Sequence, residues 1–157
     1  MTAIAFAIAS GSDVALSDDA RVLYKEKLRG LVESSSLAAT GRSELLGEVA
    51  RVAQTSSAAN WDGEGALAVE QATLKYATRF LLALPTGRAN PTVLVDRDGA
   101  IAFDWGEDPN RTFTVSVGRD GTLTYAGYFD GAQNWGYETL ADQIPLNILV
   151  YIDRAAR

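Results

Sequence analysis

The sequence predicts an α+β fold: a mainly antiparallel sheet covered on one face by helices. Three observations carry this expectation. Residues 91–129 alternate bulky apolar with small polar side chains in four successive runs, the period-two signature of half-buried strands. Two Arg-Asp-Gly tripeptides, Arg97-Asp98-Gly99 and Arg119-Asp120-Gly121, punctuate those runs. Asp-Gly in that context signals a hairpin, because Gly takes positive φ without a Cβ clash and the Asp carboxylate caps the turn. Stretches of helical period flank the runs, at about 69–84 before them and from Ile144-Pro145 after them.

From the N-terminus, residues 2–9 alternate Ile4, Phe6 and Ile8 with alanines. They predict a strand that joins the meander as a fifth member or lies against a neighbouring chain. Gly11-Ser12-Asp13 breaks the pattern. Ser17 then reads as an N-cap, with Asp18 and Asp19 placed to favour the helix dipole. Ala20, Leu23, Tyr24, Leu28, Leu31 and Val32 form a helical stripe that stops at Ser34-Ser35-Ser36. A second helix is expected over 44–54, with Leu45, Leu46, Val49, Ala50 and Ala53 on one side, and a small polar linker over 55–59. Residues 1–58 thus read as an appendage to a helix–meander–helix core at 59–157, within one compact domain by length.

Asn60-Trp61-Asp62-Gly63-Glu64-Gly65-Ala66 is dense in turn residues and leads into the helix at 69–84. Ala72, Leu74, Tyr76, Ala77, Phe80, Leu81 and Leu84 give that helix a broad apolar face, and Pro85 ends it. In the meander, Ile101, Phe103, Trp105, Phe113, Val115, Val117, Leu123 and Tyr125 share the bulky face. The other face holds Ala102, Asp104, Thr112, Thr114, Ser116, Thr122 and Thr124. It is small and hydroxylic, suited to solvent or to a flat partner. Residues 130–138 read as a Gly-rich loop bearing Trp135 and Tyr137.

The 157 residues contain neither His nor Cys. That removes thiol nucleophiles, disulfides, the commonest general base, and the usual zinc and iron ligands. No cofactor and no metal site is expected. The net charge of −6 is spread evenly along the chain, with no basic patch, so nucleic acid is not expected as a partner. No apolar run approaches the ~20 residues that span a bilayer, and the N-terminus lacks the basic segment of a signal peptide. The reading is a cytoplasmic protein that does not engage a membrane.

From Asn60 onward the chain resembles a group of small uncharacterised bacterial proteins. The resemblance rests on Trp61-Asp62-Gly63-x-Gly65-Ala66, a helix ending in Leu84-Pro85, Asp98-Gly99-x-Ile101-x-Phe103-x-Trp105, Val115-Ser116-Val117, Tyr125-Ala126-Gly127 and the late Ile144-Pro145. It implies a setting in mobile or defence-related elements and no particular activity.

Large aromatics among turn residues single out Tyr128, Phe129, Asn134, Trp135 and Tyr137 as a binding site, joined by Thr112 and Thr114 of the hydroxylic face. Aromatic anchors of this kind suit protein interfaces. The expected function is a non-enzymatic protein-binding module, an inhibitor or immunity-type protein with no catalytic residues and a protein partner of unknown identity; association of copies of the chain is compatible with it. The alternative is a small carboxylate-dependent hydrolase using Asp62, Glu64, Asp104 and Glu107. Against it, Asp62 and Glu64 equally suit capping of the following helix, and Asp96-Arg97-Asp98-Gly99 lacks the later oxygens of a calcium loop.

Overall fold

A computed structural model describes residues 18–157. The elements are α1 (Asp18–Thr55), α2 (Gln71–Ala83), β1 (Thr92–Val95), β2 (Ile101–Asp108), β3 (Arg111–Val117), β4 (Thr122–Phe129), β5 (Ala132–Thr139) and α3 (Leu146–Ala155). The fold is α+β, with one sheet in the order β1-β2-β3-β4-β5, every neighbour antiparallel. The strand expected at residues 2–9 and the Ser17 cap lie outside the described residues.

Two compact units divide within α1, between Leu37 and Ala38. In the first, Val22, Leu23, Leu28, Leu31 and Val32 are exposed. In the second, Val49, Val52 and Ala53 of α1 belong to the main core. The two helices expected over 17–54 are one. Ser34 does not break α1 because its hydroxyl donates back to the Gly30 carbonyl at 2.7 Å. Such back-bonding satisfies serine inside a helix, and no proline interrupts the span.

The sheet packs its bulky face against α2 and α3. Ile101, Phe103, Val115 and Leu123 are fully buried together, as the alternation predicts. Phe80 of α2 stacks on Phe103 with centroids 5.1 Å apart, and Tyr151 of α3 lies 5.3 Å from Phe113 and 5.6 Å from Phe129. Ile148 and Ile152 complete the cover from α3.

Both Arg-Asp-Gly turns adopt the same geometry. Asp96 N–H donates to the Ala100 carbonyl and Gly118 N–H to the Thr122 carbonyl, each at 2.9 Å, so each closes a three-residue loop. The Asp98 and Asp120 carboxylates accept from the backbone two residues on. Gly99 and Gly121 sit at φ 83° and 82°. Gly99 also presses on the loop before α2: a Cβ there would lie 2.6 Å from the Ala68 carbonyl oxygen.

The fifth strand is formed by residues 132–139, where the glycines and turn residues predict a loop. Asp130-Gly131, at φ 51° and 92°, makes the two-residue turn into it. Its inward positions hold Asn134, Gly136 and Glu138 rather than apolar residues. Gly136 lies opposite Tyr125, whose ring covers it; a Cβ at 136 would sit 2.5 Å from the Tyr125 hydroxyl. Asn147 of α3 donates to that hydroxyl at 3.3 Å and to Glu138 at 3.2 Å. This polar lining inverts the usual pattern and turns the aromatics of β5 outward.

Candidate functional site

Strand register assembles the outer face of the sheet row by row. Asp104, Thr114, Ala126 and Trp135 lie side by side across β2 to β5. Ala102, Ser116, Thr124 and Tyr137 form the adjacent row, and Thr112, Tyr128 and Gln133 the one on the other side. Trp135 and Tyr137, two residues apart on β5, are 79% and 78% exposed. No Lys or Arg occupies an outward position in these rows. The two carboxylates that reach the face are tied to hydroxyls: Thr114 Oγ1 donates to Asp104 Oδ1 and Ser116 Oγ to Asp96 Oδ2, each at 2.5 Å. The result is a broad face, hydroxylic in its middle strands and aromatic toward β5, with little mobile charge.

Five of the seven residues singled out for binding converge here: Thr112, Thr114, Tyr128, Trp135 and Tyr137. Two do not. Phe129 is fully buried, ringed by Phe113, Tyr151 and the Arg154 guanidinium 4.5 Å above its ring. Asn134 faces inward and accepts from the Tyr151 hydroxyl at 3.3 Å. Both occupy odd or even positions that the pleat assigns to the helix-covered side. The aromatic cluster is a strand face, not an irregular loop, and Gln133 and Ala126 belong to it without having been singled out.

The four acids of the alternative site fall into two places. Asp62 and Glu64 flank the Arg97 guanidinium at 3.1 Å each. Asp62 Oδ1 also accepts the N–H groups of Glu64 and Ala66 at 2.8 and 3.0 Å. Those backbone donors, with Arg97 adding to them, hold the Asp62 carboxyl below the usual carboxylate range. Its role in the structure is to order the loop, alongside Trp61, whose indole donates to the Leu67 carbonyl at 3.0 Å. Asp104 and Glu107 instead line a groove of about 440 Å³ with Asp108, beside Trp105 and Arg157. Among the described residues, no three carboxylates cluster closely enough to hold a metal ion, and no helix is long and apolar enough to cross a membrane.

Comparison with protein-family models, with curated proteins and with solved structures finds no match to this chain.

Proposed function

We propose that this chain is a cytoplasmic, non-enzymatic protein-binding module, an inhibitor or immunity-type protein of a mobile or defence-related element, and that it engages its partner through the outer face of the sheet. One observation carries the reading: Trp135 and Tyr137 stand side by side, almost wholly exposed, on a regular strand. Large aromatics in water have no stabilising role in the isolated fold, whereas buried in an interface they become anchors. The rigid strand holds them at low entropic cost, and the flanking Thr112, Thr114 and Tyr128 supply hydroxyls for a polar rim.

The alternative, a small carboxylate-dependent hydrolase, draws its support from the groove beside Asp104, Glu107 and Asp108. One experiment separates the two. The wild-type chain and the variants Trp135→Ala and Tyr128→Ala are used as baits in a host lysate, and captured proteins are quantified by mass spectrometry. A partner retained by wild type and lost from both folded variants supports the binding reading. A partner retained equally by all three overturns it for this face. Hydrolysis of a substrate panel that disappears in Asp104→Asn and Glu107→Gln would establish the enzyme instead.

A further inference from the structure

We propose that β5 is a dimerisation edge, at which two copies of the chain pair their β5 strands antiparallel about a two-fold axis at Gly136 and join their sheets into one. This stands apart from the use of the sheet face, since it concerns backbone groups at the edge.

The bonding pattern fixes which groups are free. Gly118 N–H donates to Thr122 and Leu140 N–H donates to Gly121. With the β3–β4 and β4–β5 registers, even-numbered residues of β4 therefore bond to β3 and odd-numbered ones to β5. On β5, Asn134, Gly136 and Glu138 turn their backbone toward β4. Gln133, Trp135, Tyr137 and Thr139 turn their N–H and C=O groups outward, and among the described residues no strand pairs with that side. The edge carries few of the usual blocks against strand addition, and its one inward charge, Glu138, is engaged by Asn147 of α3. It is eight residues long and contains no Pro, Lys or Arg. The opposite edge, β1, is four residues long and directly follows Pro91.

The edge is also complementary to itself. With Gly136 on the axis, all four outward residues find partners: Gln133 meets Thr139 of the second copy, and Trp135 meets Tyr137. The two glycines meet at the close, non-hydrogen-bonded position, where no side chain obstructs. Asn134 meets Glu138, so the strand's one charge never faces its like. Trp–Tyr cross-strand pairs on the outer face are among the favourable ones, and they set the two most exposed aromatics among the described residues edge to edge while leaving their outer faces open.

The test is sedimentation of the full chain across the micromolar range, with amide exchange on the same samples. The expected mass is twice 16.8 kDa, with slow exchange at Gln133, Trp135, Tyr137 and Thr139. Gln133→Pro/Thr139→Pro removes only outward N–H groups and is expected to give a folded monomer. Gln133→Lys/Thr139→Lys leaves the backbone intact, covers the case in which the proline variant fails to fold, and is expected to raise the dimer dissociation constant about tenfold or more. A monomeric wild type overturns the proposal. So does a dimer that survives the lysine variant, or a monomer whose four amides are protected, which would mean that another segment of the same chain occupies the edge.

Discussion

Arg42 caps the last turn of α2 at Leu84. Its Nη2 donates to the Leu84 carbonyl at 2.6 Å, and its Nη1 reaches the carbonyls of Leu81 and Leu82 at 2.9 and 3.0 Å. The helix has no basic residue of its own in that turn. The cation that offsets its dipole and satisfies its last carbonyls comes from α1, some forty residues earlier in the chain.

Arg42→Ala should therefore destabilise the fold by about 2 kcal/mol, the scale of hydrogen bonds to a charged group. Urea denaturation checks it: the midpoint should fall with the slope unchanged. Arg42→Lys should recover only part of the loss, because a single ammonium does not reproduce the guanidinium fork.

Gly99→Ala and Gly131→Ala should separate two costs. Both glycines have positive φ, but a Cβ at 131 meets nothing within 4 Å, whereas one at 99 meets the Ala68 carbonyl oxygen. Gly131→Ala should lose about 1 kcal/mol from backbone conformation alone. Gly99→Ala should lose about 3 kcal/mol, since overpacking against backbone is added. Paired denaturation curves measure the difference.

Exposed and buried aromatics should respond oppositely to truncation. Trp135→Ala and Tyr137→Ala should move stability by no more than about 0.5 kcal/mol, as substitutions at exposed positions do. Phe129→Ala should cost about 4 kcal/mol, because the ring is enclosed in the core. Thermal melts of the three variants decide it.

Acid should destabilise the fold through Asp62 and Asp120. Both carboxyls are held below their ordinary range chiefly by backbone N–H donors, from Ala66 and Glu64 in one case and Thr122 in the other. The folded state then binds these protons more weakly than the unfolded chain. Their contribution is complete above the unfolded value of about 3.9 and is lost as pH falls through the lower folded values. Stability measured by denaturation from pH 5 downward (about that range) should decline less steeply in Asp62→Asn and Asp120→Asn than in wild type.

Much of this architecture is legible in the sequence where packing and pattern agree. Ile101, Phe103, Val115 and Leu123 face a helix-covered core, so alternation reads them directly, and the Arg-Asp-Gly turns carry their own chemistry. Strand β5 escapes the same reasoning because its inward side meets Tyr125, Asn147 and Tyr151, which accept Asn134, Gly136 and Glu138. Its signal is Asp130-Gly131, a turn dipeptide of the same kind as Asp98-Gly99 and Asp120-Gly121. Phe129 also announces itself: it keeps step with Leu123 and Tyr125, so the parity of β4 turns it inward. The continuity of α1 is illegible because serines weaken a helix only slightly, and one back-bonded hydroxyl suffices to carry it through.

The sheet joins only strands that are neighbours in the chain. Each hairpin closes over a short loop, at small entropic cost, so the sheet can assemble in the order in which its strands leave the ribosome. Its final cover cannot. Ile148, Tyr151 and Ile152 come with α3, which follows β5 in the chain, and Phe113 and Phe129 remain without their lid until it docks. Until α3 docks, the formed sheet keeps an open apolar face, the interval in which the chain is most vulnerable to aggregation.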